Sequence, residues 1–276
     1  MSTGKTKRFG QNFLVNSRAA HRIASEFHLK EGEIALEIGP GRGALTKFLA
    51  ESGARLYAVE KDPSLSRFLE EMFNDNPEIS IINADILQHD FKDFCAPPGS
   101  EKNVLRIIGN LPYSISKPVL MKIISERLWI RDFLLMLQKE VADRVLSRPK
   151  SRNYSPLSVL FSLTSTIRRV MELSPRSFSP PPKVHSTVIH GKFLDRPGFE
   201  DEEEEKVRQI VSALFSKRRK TIRNNLSSFL KVDDRKVTII LEGCCLDPES
   251  RAETLDPEDF VRISRSVSMK AGGILL

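Results

Sequence analysis

The stretch EIALEIGPGRGALT, Glu33 to Thr46, decides the fold. Its first seven residues read as a buried strand bounded by a glycine. Three glycines in G-x-G-x-G spacing follow, and a helix is expected from about Ala44 to Ser52. Glycine lets a backbone approach a ligand closely, because no Cβ intervenes. The spacing differs from the G-x-G-x-x-G of the dinucleotide fingerprint, so the turn alone leaves a structural glycine turn open as a reading.

Similar units follow. RLYAVE (Arg55–Glu60), ISIINAD (Ile79–Asp85), VLRIIGN (Val104–Asn110) and FLLMLQ (Phe133–Gln138) are short apolar runs bounded by Gly, Pro, Asp or Asn, and a helix opens at Pro63. Such runs, separated by helical spacing, indicate a parallel sheet covered on both faces. RRVMEL and VHSTVIHGKF read as two later strands joined by SPRSFSPPPK. A hairpin there predicts a mostly parallel seven-stranded α/β sheet with an antiparallel edge strand. Composition shifts at DRPGFEDEEEEK, and only helical stretches follow: about 202–216, 221–230, 235–241 and 257–265. The expected domains are residues 1–195 and 196–276, the second small and all-helical. The acidic run Asp201–Glu205 reads as the first turn of a helix, where carboxylates complement the macrodipole.

The 276 residues carry a net charge of +7, with 40% hydrophobic and 29% charged residues, which suits a globular protein with a polyanionic partner. Three cysteines, two of them adjacent and none in C-x-x-C spacing, predict neither a disulfide framework nor a zinc site. No metal ligand set is read, and a reducing cytoplasm is expected. No apolar run reaches the roughly 18 residues of a membrane span. The basic N-terminus lacks the apolar segment of a secretory signal.

Glu60 ends its strand 21 residues after Gly39, where an α/β nucleotide site places an acid on ribose hydroxyls. Asp85 and Asn110 end the next two strands at intervals of 25 residues. In a parallel sheet the carboxyl ends of the strands share one edge, so Gly39, Glu60, Asp85 and Asn110 should converge on one crevice. After Asn110, Pro112 drives Leu111 into an extended conformation. The Asn110 side-chain oxygen and a neighbouring carbonyl then become preplaced acceptors, and Tyr113 supplies a flat face. That suits a planar base with an exocyclic amine. The competing reading is a strand-to-helix turn with Tyr113 in the core.

NLPY after a strand resembles the adenine-N6 methyltransferases that use S-adenosylmethionine. KRFGQNFL (Lys7–Leu14), EIGPGRGALT, AVEKD (Ala58–Asp62), NADIL (Asn83–Leu87), GNLPYSIS (Gly109–Ser116), LQKEVADR (Leu137–Arg144), FSPPPKVHS (Phe178–Ser186) and RRKTIRNNL (Arg218–Leu226) fall in order. Together they resemble the small-subunit ribosomal RNA adenine-N6,N6-dimethyltransferase family over nearly the whole chain. The resemblance implies a Rossmann-like class I methyltransferase domain and a small helical domain that recognises RNA. It implies dimethylation of two adjacent adenosines near the 3′ end of 16S rRNA, on immature 30S subunits, by a cytoplasmic monomer. It places Asn12, Leu14, Gly39, Glu60, Asp85 and Asn110 around the methyl donor. Asn110, Leu111, Tyr113 and Phe178 would hold the target base. Lys5, Lys7 and Arg8 in a basic arm, with Lys217, Arg218, Arg219, Lys220 and Arg223 around a helix junction, would contact phosphates.

Two positions depart from the family pattern. Ser155-Pro156 stands where Gly-Arg is usual, which puts a local RNA contact in doubt. Lys61 stands in place of an apolar residue after Glu60, with little effect expected if its side chain points to solvent. Three other functions stay open on sequence alone. A sister methyltransferase acting on one adenine of large-subunit RNA would share the pocket, whereas FSPPPKVHS and RRKTIRNNL favour the small-subunit enzyme. An assembly factor would need no catalysis. An NAD-dependent dehydrogenase would use Glu60 but leave Asn110–Tyr113 idle.

Overall fold

The computed structural model describes residues 12–95, 105–270 and 273–275. Its central sheet holds β1 (Ile34–Ile38), β2 (Arg55–Glu60), β3 (Ile79–Asn83), β4 (Leu105–Asn110), β5 (Ile130–Gln138), β6 (Ser165–Leu173) and β7 (Ser186–Phe193). The spatial order is β3-β2-β1-β4-β5-β7-β6. β1 to β5 pair in parallel, and β7 runs antiparallel to β5. The expected mostly parallel sheet with an antiparallel strand at one edge is therefore present. The reversed strand lies one place in, and β6 is outermost.

The helices are α1 (Ser17–Phe27), α2 (Thr46–Leu49), α3 (Pro63–Phe73), α4 (Ser116–Ser125), α5 (Lys139–Val145), α6 (Pro156–Thr164), α7 (Glu204–Leu214), α8 (Ile222–Leu230), α9 (Asp234–Gly243) and α10 (Pro257–Ser266). α2 is shorter than the sequence suggested, because the chain tightens into a 3₁₀ turn at Ala50–Ser52. Local chemistry sets the starts. Asn16 accepts the Ala19 N–H at 3.0 Å ahead of α1, and Asp62 accepts the Ser64 N–H at 2.8 Å ahead of α3, with Pro63 in the first turn.

β1, β4 and β5 are buried along almost their full length, which explains their near-continuous apolar sequences. Gly109 is needed inside β4: a Cβ there would lie 2.5 Å from the Ile38 carbonyl oxygen on β1. Leu14, Ile23, Phe27, Leu49, Ile108 and Phe178 contribute to one buried cluster on a face of the sheet.

Arg106 is the polar exception inside β4. Its guanidinium makes two hydrogen bonds to Asp132 on β5, at 2.8 and 2.6 Å, and one to Glu33 at 2.8 Å. It also donates to the Phe27 and His28 carbonyls at 2.7 and 3.1 Å and lies 4.3 Å from the centre of the Phe27 ring. One buried cation thus satisfies carbonyls at the C-terminus of α1 and pins that helix to two strands. Burial would raise the Asp132 carboxyl, but bonds from Arg106 and His190 outweigh it and hold the group below its ordinary value.

The chain divides into two compact units. One holds the described residues up to Ala142 with Ile167–Phe193; the other holds Asp143–Thr166 with Leu194 onward. The break near Asp195 was expected, but Asp143–Thr166 joins the C-terminal unit. Its reason is local: Ser155 and Ser158 cap the start of α6 reciprocally, Pro156 sits in the first turn, and α6 buries Leu157, Leu160, Phe161 and Leu163. The departure at Ser155-Pro156 is thus a helix-starting signal. In this unit Phe215 stacks on Phe260 at 5.7 Å and meets the buried Tyr154 edge-on at 5.9 Å. A short antiparallel pair, Ser268–Lys270 with Gly273–Leu275, adds strand to a unit expected to be all-helical. Among the described residues no helix is long and apolar enough to cross a membrane.

Candidate active site

The carboxyl ends of β1, β2 and β4 meet at a cleft open to solvent. Asn12, Leu14, Gly39, Glu60, Asn110, Leu111 and Tyr113 all line it, as do Phe13, Glu37 and Arg42. Seven residues singled out from the sequence therefore converge.

The floor is the glycine turn. Gly39 has φ +69°, a conformation that L side chains rarely adopt, and its N–H donates to the Val59 carbonyl at 2.9 Å. A Cβ there would contact Pro112 Cδ at 3.6 Å and the Asn110 carbonyl oxygen at 3.8 Å, so the turn and the NLPY segment sit against one another. Glu60 organises the next wall. One carboxylate oxygen accepts the Gly41 N–H at 3.0 Å and the other accepts the Asp62 N–H at 2.9 Å. Burial pushes the Glu60 pKa up, partly offset by those N–H bonds.

Glu37 lies deeper and is fully buried. Burial pushes its carboxyl up to about 8, with the Thr46 hydroxyl working against the shift and the Glu60 carboxylate adding to it. Its Oε2 meets no donor among the described residues.

The NLPY segment forms the opposite wall. Asn110 Nδ2 donates to the Asn12 carbonyl at 3.2 Å. Leu111 is buried, and its N–H donates to the Met136 carbonyl on β5 at 3.2 Å. Among the described residues no donor reaches the Leu111 carbonyl or Asn110 Oδ1. The Tyr113 hydroxyl is 3.1 Å from Ser186 Oγ at the start of β7, which tethers the ring at the cleft wall. Tyr113 is thus a half-buried cleft residue and not part of the core.

Three expectations change. Asp85 is absent from the cleft lining; its Oδ2 pairs with Lys61 Nζ at 2.7 Å and its Oδ1 accepts the Leu87 N–H at 3.1 Å. Lys61 therefore does not simply point to solvent. Phe178, expected to clamp the base, is 4% exposed, pairs with Leu14 in a short strand contact and belongs to the apolar cluster. Its ring gains more from that burial than a solvent-facing position would give, which is why it sits in the core.

The basic residues divide. Lys217, Arg218, Arg219 and Lys220 are exposed between α7 and α8. Arg218 donates to the Arg152 carbonyl at 2.9 Å and pairs with Glu253 at 3.3 Å, while Arg223 pairs with Glu249 at 2.6 Å. Those two charges are partly neutralised within the unit; Lys217, Arg219 and Lys220 have no acidic partner among the described residues. Asn225 fixes the junction by donating to the Leu214 and Lys217 carbonyls at 2.8 and 3.2 Å. Lys5, Lys7 and Arg8 lie outside the described residues.

The model of the ribosomal RNA adenine dimethylase family matches residues 2–268. The chain belongs to that family. This dimethylase is 40% identical over 268 residues to ribosomal RNA small subunit methyltransferase A of Geobacter metallireducens, covering 97% of this chain and 96% of the relative. The protein of the same name in Pseudomonas aeruginosa is 36% identical over 266 residues, covering 96% of each. Among solved structures, a dimethyladenosine transferase from Plasmodium falciparum shares the dimethylase's fold with TM-score 0.76 at 23% identity, covering 91% of this chain and 95% of that one. The 23S rRNA methyltransferase ErmE gives TM-score 0.68 at 25% identity, covering 92% and 99%. The methyl donor of the dimethylase is S-adenosylmethionine, and the cleft fits it: a glycine cradle bare of Cβ atoms for close backbone approach, and the Glu60 carboxylate at the end of the adjacent strand.

Two cleft features of the dimethylase escaped the sequence reading. Ser186 closes the FSPPPKVHS motif, but nothing in that string shows it reaching Tyr113. Arg42, between the second and third glycines, lies with its guanidinium 4.7 Å from the Phe13 ring centre, a contact that the glycine spacing does not show.

Proposed function

We propose that the protein dimethylates N6 of two adjacent adenosines in the 3′-terminal hairpin loop of 16S rRNA, acting as a monomer on immature 30S subunits in the cytoplasm. The observation that carries the reading is the Asn110 amide. With Nδ2 held by the Asn12 carbonyl, Oδ1 is the end left to accept, beside the Leu111 carbonyl.

S-adenosylmethionine supplies, when bound, a methyl group made electrophilic by its sulfonium. The Gly39–Gly43 turn and Leu14 would bound its methionine part, and Glu60 would accept from its ribose hydroxyls. Asp85, at the end of the next strand and outside the cleft lining, would accept from its adenine amine. Asn110 Oδ1 and the Leu111 carbonyl accept the two N–H protons of the target amine. Two acceptors on one amine draw its nitrogen toward tetrahedral geometry and stabilise the positive charge that grows on it. Tyr113 presents its ring to the base, with Ser186 holding the hydroxyl. Placement of the reacting atoms is the protein's main contribution. After one methyl transfer the new ammonium loses a proton to water and a single N–H remains, so the second transfer relies on one acceptor and on the ring.

RNA affinity is assigned to phosphate contacts by Lys217, Arg219 and Lys220, with Lys5, Lys7 and Arg8 contributing from the N-terminal segment. Small-subunit relatives along nearly the whole chain favour this substrate over large-subunit RNA. The test is tritium transfer from labelled donor to purified 30S particles lacking the modification, with 50S particles alongside, followed by nucleoside analysis. N6,N6-dimethyladenosine in 16S rRNA alone is expected. Label in 23S rRNA, or no label with donor binding intact, would overturn the assignment.

A further inference from the structure

Lys61 leaves β2 next to Glu60, and its Nζ reaches across to Asp85 Oδ2 at 2.7 Å. The two strand ends are also joined through the backbone. Asn83 Nδ2 and the Ala84 N–H both donate to the Glu60 carbonyl, at 2.9 and 3.1 Å. Asp85 is held from its other side by the Leu87 N–H at 3.1 Å. The carboxylate therefore has little freedom in position. The Lys61 side chain is 57% exposed and that of Asp85 24%, and an ion pair this open contributes little to folding.

The chemistry of the pair points elsewhere. An ammonium has three donors, of which Asp85 uses one, and the carboxylate keeps unused lone pairs. Together they present an acceptor directly beside donors. The Watson–Crick edge of adenine presents the complement: an amine beside a ring nitrogen that accepts. The Lys61 bond is also the main influence holding the Asp85 carboxyl below its ordinary value.

We propose that Lys61 is a positioning and specificity residue for the donor's adenine: it aims the Asp85 carboxylate at the adenine amine and offers a second N–H to the neighbouring ring nitrogen. The inference rests on reading this cleft as the S-adenosylmethionine site and extends that site past the cleft lining, beyond Glu60, to Lys61 and Asp85. An apolar side chain at this position could cover the purine face but could neither hold Asp85 nor donate.

Calorimetry tests it with two ligands, S-adenosylhomocysteine and its hypoxanthine counterpart S-inosylhomocysteine, on the wild type, Lys61→Met, Lys61→Arg and Asp85→Ala. Lys61→Met should weaken binding of the adenine ligand on the order of tenfold, the effect of losing a charge-assisted contact. It should also narrow the preference for adenine over hypoxanthine, while the urea unfolding midpoint stays put. Lys61→Arg should restore most of the affinity. If Lys61→Met binds as the wild type does, or more tightly, while Asp85→Ala loses binding, the role of Lys61 is refuted and the site reading stands. If Asp85→Ala also binds normally, or the wild type binds neither ligand, the site reading itself fails.

Discussion

The Asn110 side chain donates to the Asn12 carbonyl 98 residues away in the chain, at 3.2 Å. That bond fixes which end of the amide is free to accept. Asn110→Asp keeps the size and one acceptor oxygen but replaces the donating Nδ2 with a second oxygen set against the Asn12 carbonyl. Asn110→Ala removes the acceptor outright. Turnover should fall roughly 10²–10³-fold in both, the effect of losing one transition-state hydrogen-bond group. Single-turnover rates with saturating donor and 30S particles measure it; near-normal rates in Asn110→Ala would remove the acceptor role.

Tyr113→Phe and Ser186→Ala break the same hydrogen bond, so their effects should not add. The double variant should match either single one within about 0.5 kcal/mol in activation free energy. Because the second methyl transfer relies more on the ring, N6-monomethyladenosine should accumulate in all three. Nucleoside chromatography at partial conversion reads it. Simple additivity would show that the hydroxyl contact does not position the ring.

Glu37 makes stability pH-dependent in a defined direction. Its carboxyl ionises near 4.5 ordinarily and near 8 in the fold. Between those values the folded protein keeps a proton that the unfolded chain gives up, so stability falls as pH rises from 4.5 to about 8. The slope from this group is at most about 1.4 kcal/mol per pH unit. Glu37→Gln should remove it, so the variant gains on the wild type between pH 5 and pH 8 in urea titrations. Parallel curves would mean that Glu37 is already ionised.

Arg106→Met should destabilise by roughly 3–5 kcal/mol, because it strands the Asp132 carboxylate and uncaps carbonyls at the end of α1. Equilibrium denaturation gives the number. Adding Asp132→Leu should recover part of the loss, since the orphaned charge goes with it; no recovery would place the cost in the α1 carbonyls alone.

Lys217, Arg219 and Lys220 should each behave as a phosphate contact. Alanine at each position should flatten the slope of log affinity against log salt by about one and weaken all RNAs alike. Arg223→Ala, whose guanidinium already pairs with Glu249, should change the slope less. Equal slopes for all four variants would show that the pairing with Glu249 does not matter.

Much of the site was legible because it is built on regular elements. Period-two and all-apolar strands announce their own ends, and a parallel sheet gathers those ends at one edge, so Gly39, Glu60 and Asn110 could be named as neighbours. The remainder depends on contacts between distant parts of the chain. Lys61 and Asp85 are 24 residues apart, and no periodicity links a lysine after one strand to an acid after the next. Phe178 reads equally well as a base clamp or a core ring; only its place against Leu14 decides. Arg106 interrupts an apolar strand without any sign that five oxygens wait around it. The neutralisation of Arg218 and Arg223 was likewise hidden, because their acids come from later segments. The segment Asp143–Thr166 was misplaced because a short apolar helix carries no label for the unit it will join.

That last feature has a practical consequence for dissecting the molecule. The C-terminal unit is discontinuous in the gene: Tyr154 and Phe161 are encoded ahead of β6 and β7, Phe215 and Phe260 after them. A clone beginning at residue 194 would express a bundle stripped of one helix and of an aromatic partner, and insolubility of such a fragment would say nothing about the RNA it was meant to probe. A graft between relatives must carry both coding segments, or a circular permutant must first bring them together.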